Sequence, residues 1–226
     1  RFLHLGSDLV QSGMRLARPD ALEIAYTRCM MGFLLFNPAP RNILMIGLGG
    51  GSLAKFIYHH LSETRSVAVE INARVVAAAR NFFSLPPEGE RFRIVIADGA
   101  EYLTLHPESC DVLMVDGYED GALPSVLASE AFYGVAAEAL GRRGIMVANL
   151  LGRDRRLTTY LERMGKTFPG GLLQLEDGED GNVVVFAFRK APAKLATTTM
   201  RKRAAELERR CGLPFRRFLA ELSQGD

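Results

Sequence analysis

The sequence predicts an α/β fold, a doubly wound and mostly parallel sheet with a β-hairpin before it and helices after it. Two features carry this. From residue 41, short apolar runs alternate with amphipathic helical stretches over about 150 residues, as strand–helix units of a parallel sheet do. The first four runs give way to glycine or a carboxylate. In such sheets, ligands sit at the carboxyl ends of the strands.

Residues 2–14 read as one or two short strands around a turn at Gly6-Ser7-Asp8. Residues 20–36 are mostly apolar and read as a helix, with Asp20 as N-cap and Asn37-Pro38 as the stop. Asn42–Gly47 is apolar and ends in glycine, as a buried parallel strand would. A helix is expected at Ser52–Leu61 and a strand at Ser66–Glu70. A second helix, Ala73–Phe83, places Val75, Val76, Ala79, Phe82 and Phe83 on one face. Strands follow at Phe92–Ala97 and Cys110–Val115, then a helix at Ser129–Leu140 and a strand at Gly144–Leu150. A helix over Arg153–Phe168 precedes a closing pair, Leu172–Glu176 and Asn182–Arg189, around an acidic turn. This gives three parts: a hairpin and helix (1–40), an α/β domain (41–190) and a helical tail (191–226).

The chain has 226 residues and is 48% hydrophobic, enough for a sizeable core. No apolar run is long enough to span a bilayer, and no basic-then-apolar leader is seen. The chain begins at Arg1, as a fragment or processed form would. Cys29, Cys110 and Cys211 have no short spacing, so neither a disulfide framework nor a metal centre is expected. A reducing, cytoplasmic setting is. The net charge of +2 conceals a division: residues 1–190 carry −2 and residues 191–226 carry +4. A mildly acidic body argues against nucleic-acid binding.

The strand ends carry the chemistry. Gly47-Leu48-Gly49-Gly50-Gly51-Ser52 follows the first strand of the alternation. Glycine lets a backbone approach a ligand, and the next helix offers free N–H groups. The loop lacks the Gly-Lys-Ser/Thr of a phosphate loop. Glu70 lies about 20 residues on, where a carboxylate can accept both ribose hydroxyls. Asp98-Gly99-Ala100 can receive an adenine amino group, although Asp98 is equally suited to cap a helix. Asp116-Gly117-Tyr118-Glu119-Asp120 gathers three carboxylates and a phenol, which suits a cationic amine. Each segment has a bland alternative, a tight turn, a solvated strand end or a cap. Together they point to an adenosyl ligand.

The ordered set resembles the spermidine synthase (polyamine aminopropyltransferase) family over about residues 2–190. That family's Leu-Asp-Gly-x-x-Gln-Ser is similar to Leu5–Ser12, and its Tyr-His/Gln-Glu-Met to Tyr26-Thr27-Arg28-Cys29. Its Gly-Gly-Gly-Asp-Gly-Gly falls on Gly47–Ser52, its Val-Glu-Ile-Asp on Val69–Asn72 and its Gly-Asp-Gly-x-x-Phe/Tyr-Leu on Ala97–Leu103. Its Asp-Ser-Ser-Asp-Pro falls on Asp116–Asp120, and its Leu-Phe-x-x-Glu-Phe-Tyr on Leu127–Tyr133. The resemblance implies a class I methyltransferase-like, Rossmann-like domain with a truncated N-terminal β-hairpin. It implies decarboxylated S-adenosylmethionine as co-substrate, a small-molecule amine as acceptor, and no metal. Gln11, Gly47, Leu48, Gly49, Glu70, Ile71, Asp98 and Gly99 would hold the cofactor. Asp116 would be the catalytic carboxylate. Tyr26, Tyr118, Glu119 and Asp120 would line the amine site.

Four positions depart from the family pattern. Its loop Asp is Gly50, its Glu after Tyr-His/Gln is Arg28, and its last Asp-Pro is Glu119-Asp120. Losing a carboxylate and gaining Arg28 makes the expected pocket less anionic. Arg28 is then a candidate to accept a carboxylate, as on ordinary S-adenosylmethionine. The alternatives are therefore a methyltransferase using S-adenosylmethionine and a non-catalytic adenosyl-ligand-binding protein. A dinucleotide oxidoreductase has only the loop and Glu70 in its favour. In the tail, residues 194–211 and 215–222 have helical apolar spacing, broken at Gly212-Leu213-Pro214. They read as amphipathic helices packed on the body or on a second copy, which makes a homodimer one expectation.

Overall fold

The computed structural model describes residues 1–4, 10–118, 123–179 and 181–224. β1 (Phe2–His4) and β2 (Val10–Gly13) form the antiparallel hairpin. The expected turn, Gly6–Asp8, lies outside the described residues. The main sheet contains β3 (Asn42–Ile46), β4 (Arg65–Glu70), β5 (Phe92–Ile96), β6 (Cys110–Val115) and β7 (Leu140–Leu151). β8 (Leu172–Glu176), β9 (Asn182–Phe188) and β10 (Ser223–Gln224) complete it. Its order is β10-β8-β9-β7-β6-β3-β4-β5. The strands from β3 to β7 pair in parallel, and β8, β9 and β10 add antiparallel.

The chain lays β4 and β5 on one side of β3, then returns to place β6 on the other. The crevice between β3 and β6 is thus the switch point where ligands bind in such sheets. Strand side chains alternate between two cores. Ile43, Met45, Val112 and Met114 face one core, and Leu44, Ile46, Leu113 and Val115 the other. The helices are α1 (Ala25–Met30), α2 (Ser52–His60), α3 (Ala73–Phe82), α4 (Gly99–Thr104), α5 (Glu130–Ala139) and α6 (Leu157–Thr167). α7 (Thr197–Cys211) and α8 (Phe215–Glu221) form the tail. Ala204, Leu207, Cys211, Phe215 and Phe218 are buried in the first core, and the two tail helices pack on the 3-10 turn that follows α1, with α8 also on β8. Their apolar faces lie on the body of the same chain.

Several element ends differ from the expectations. Residues 20–36 hold six residues of α1 followed by a 3-10 turn, Met31–Leu35. Asp20 does not cap α1, which begins after Ile24 without a side-chain cap. Asp20 instead lies 3.4 Å from His60. On α3, Phe82 is 56% exposed, while Phe83, just past the helix end, is buried. α6 starts at Leu157, because Asp154 draws the preceding residues into a turn, accepting from the Arg156 N–H and guanidinium.

Candidate active site

The loop after β3 must turn against a neighbour that leaves no room. Gly47 has a φ of +96°, and a Cβ there would lie 2.3 Å from the Asp116 carbonyl oxygen. Only glycine accepts both the backbone angle and the approach. Gly47 N–H donates to Val69 O, and Asp116 N–H to Ile46 O. The carboxyl ends of β3, β4 and β6 are therefore tied together at the switch point.

Glu70 ends β4 and is buried. Its Oε2 accepts from Leu48 N–H and its Oε1 from Asn72 N–H, both at 2.9 Å. The carboxylate thus sets the course of the loop and keeps lone pairs for a ligand. After β5, Asp98 does cap α4: its Oδ1 accepts from Ala100 and Glu101 N–H at 2.8 and 3.0 Å. Ser12 of β2 accepts from Gly50 N–H at 2.8 Å. That bond fastens the hairpin to the glycine loop and brings Gln11 to the same space.

Asp116 follows β6, opposite Gly47. Its Oδ2 accepts from the Tyr26 hydroxyl at 3.1 Å and its Oδ1 from Asn149 Nδ2 at 2.9 Å. Asn149 Oδ1 in turn accepts from Asn182 Nδ2 at 2.8 Å. Burial raises the Asp116 pKa above the usual carboxylate range, and the Asn149 and Tyr26 hydrogen bonds pull it back. The Tyr118 hydroxyl accepts from Leu151 N–H, and burial pushes its pKa up.

Every expected site residue that the structure describes lines one cavity of about 1290 Å³. Sheet order puts Glu70, Ile71, Asp98 and Gly99 on the β4–β5 side of the glycine loop. Asp116 and Tyr118 lie on the β6–β7 side, with Tyr26 bonded to Asp116. Glu119 and Asp120 lie outside the described residues. Asn149, Asn182, Glu23 and Glu179 also line the cavity and were not anticipated. Asn149 carried a usable signal, a polar side chain near the end of an apolar strand.

The structure corrects the expectation for Arg28. Its guanidinium donates to Leu22 O and Glu23 O and pairs with Glu179 at 2.7 Å. Its charge is offset there and is not directed at a ligand carboxylate. Gly50 also has a physical reason. A Cβ there would lie 2.7 Å from the Phe83 ring and 2.9 Å from Ser12 Cβ, so an aspartate would have to displace one of these side chains. Among the described residues, no group of three or more His, Cys, Asp or Glu is placed to hold a metal ion. No helix among them is long and apolar enough to cross a membrane.

The spermine/spermidine synthase domain matches residues 23–156. The polyamine aminopropyltransferase of Chromobacterium violaceum is 45% identical over 224 residues, covering 99% of this chain and 86% of that protein. The chain belongs to the spermine/spermidine synthase family. Among solved structures, human methyltransferase-like protein 13 in complex with SAH is 27% identical, with a TM-score of 0.73. That match covers 84% of this chain and 93% of the human one. A spermidine synthase in complex with the transition-state analogue AdoDATO shares the fold at a TM-score of 0.74 and 23% identity. It covers 90% of this chain and 73% of its own. This family member is thus a transferase on a class I methyltransferase-like fold.

Proposed function

We propose that the chain transfers the aminopropyl group of decarboxylated S-adenosylmethionine to a small amine. The observation that carries this reading is Asp116, held by Tyr26 and Asn149 at the switch point, in one cavity with Glu70 and Asp98. Glu70 takes the ribose hydroxyls on its remaining lone pairs. Asp98, through Oδ2, takes the adenine amino group. Ile71 covers the ring and Gly99 leaves room for it. Gln11 and the Gly47–Gly49 backbone hold the rest of the nucleoside. Tyr26 and Tyr118 line the amine side.

The unprotonated amine nitrogen attacks the propyl carbon bonded to the sulfonium. The new C–N bond forms as the C–S bond breaks, and its electron pair leaves on sulfur as methylthioadenosine. The surplus proton of the nitrogen passes to Asp116. A carboxylate whose pKa is raised by burial is a better base for that step. Holding amine and sulfonium in line contributes much of the remaining rate. The offset charge of Arg28 supports a co-substrate without a carboxylate.

Methyl transfer from S-adenosylmethionine is the second reading. It is favoured by Gly50 and by the likeness to human methyltransferase-like protein 13. Calorimetry with both cofactor forms, followed by putrescine and spermidine, separates them. Binding of the decarboxylated form with release of methylthioadenosine supports aminopropyl transfer. Binding of only the carboxylated form, with S-adenosylhomocysteine as product, overturns it. Binding with neither product across a broad amine panel favours a non-catalytic protein.

A further inference from the structure

We propose that Asn182, on the edge hairpin, is a positioning residue that sets the protonation behaviour of Asp116 through Asn149. The inference rests on Asp116 being the base of the reaction proposed above.

An amide side chain has one accepting and one donating end. Asn182 Nδ2 donates to Asn149 Oδ1 at 2.8 Å, so the accepting end of Asn149 faces the hairpin. Its donating end must then point at Asp116, where Nδ2 lies 2.9 Å from Oδ1. A donor aimed at a carboxylate favours the ionised form. Without the Asn182 donor, Asn149 is free to turn its oxygen toward Asp116, which favours the protonated acid. With both side chains present the two asparagines are buried, and each amide has the other as a partner.

The hairpin also reaches the other donor. Glu179, in the β8–β9 turn, pairs with Arg28 of α1, the helix that carries Tyr26. In that turn, Asp177 Oδ1 accepts from Glu179 and Gly181 N–H, and Asp177 N–H donates to Asn182 O. One turn therefore adjoins both groups that touch Asp116. The other ionisable groups on the cavity wall include Tyr118 after β6, Glu70 on β4, Asp98 after β5, Glu179 on the hairpin and Arg153 after β7. The uncharged Asn182→Leu leaves all of these in place, so its shift in the titration of Asp116 reports the amide relay, whereas Asn182→Asp adds the direct repulsion of a second carboxylate.

The test compares kcat/KM against pH for the parent, Asn182→Asp and Asn182→Leu, each also in an Asn149→Leu background. The titration of the amine is common to all. In Asn182→Asp the acidic limb should rise by about one pH unit or more, with a smaller rise in Asn182→Leu. The KM for decarboxylated S-adenosylmethionine should stay within about twofold, since the relay lies on the base rather than on the nucleoside. With Asn149→Leu present, Asn182→Leu should move the limb no further, and Asn182→Asp should move it less than in the parent. An unmoved limb in both single variants, or an equal shift in the Asn149→Leu background, overturns the proposal. On the unmodified protein, the side-chain amide protons of Asn149 and Asn182 should be protected from solvent exchange. Free exchange overturns it even if the variants do not fold. Loss of turnover in Asp116→Asn with an unmoved limb removes the role of Asn182 only. Full turnover in Asp116→Asn removes the base itself.

Discussion

Burial lifts the Asp116 pKa while Asn149 and Tyr26 restrain it, and the residue therefore affects the fold as well as the chemistry. With a raised folded pKa, its stabilising contribution is full below about pH 4, where both states are protonated. It is lost as pH rises through the folded value. Asp116→Asn should abolish transfer yet keep cofactor affinity within roughly tenfold. It should also raise the melting temperature at pH 7, with the gain vanishing near pH 4. Turnover and thermal unfolding across pH check both. Lys55 titrates with the same kind of penalty. It is buried, bonded to Phe83 O at 3.0 Å, and burial lowers its pKa to about 8. Below that pH the buried charge is present in full, and above the usual lysine value it is gone. Lys55→Met should raise the melting temperature by about 2–5 °C at pH 7 and by much less near pH 10.5. Asp116 was legible because a carboxylate ended an apolar run. Asn182 was not, because its link to Asn149 depends on the antiparallel register that sets Leu151 opposite Asn182. The Arg28 partner, Glu179, lies 151 positions away, beyond any local pattern.

At the scale of elements, the glycine loop is the least tolerant segment. Gly47→Ala combines an unfavourable backbone angle with a Cβ inside van der Waals contact of the Asp116 carbonyl. A loss of about 2 kcal/mol or more is expected from urea unfolding, with cofactor binding weakened as the loop shifts. The strands were readable because burial on both faces makes them continuous apolar runs. Helix starts were less so. Asp98 and Ser129 cap the helices they precede, whereas Asp20 lies beside His60 and α1 starts without a side-chain cap. A capping residue type gives the possibility of a cap, and tertiary neighbours decide it.

For the whole molecule, the tail is part of the core rather than an appendage to it. Its basic side chains lie on the wet face, and two reach back: Arg203 donates to Leu35 O and Arg210 to Pro38 O. They satisfy carbonyls at and just beyond the end of the 3-10 turn that continues α1. Phe218 is fully buried. Phe218→Ala should cost about 3–5 kcal/mol and lower the melting temperature by roughly 10 °C in a chain of this size. Calorimetric unfolding in one transition would check it. The charge split between body and tail was visible in the sequence, but composition does not say which surface an amphipathic helix will cover.

The seating of α8 on the Met31–Leu35 turn has a consequence during synthesis. That turn leaves the ribosome early, yet the apolar surface it shares with the tail has no cover until residues 215–218 emerge. That part of the core must close after residues 215–218 are made, through contacts distant in sequence, which fold slowly and leave sticky surface exposed meanwhile. A ribosome stalled before the tail should hold a chain that chaperones bind and proteases cut, however complete its glycine loop and Asp116.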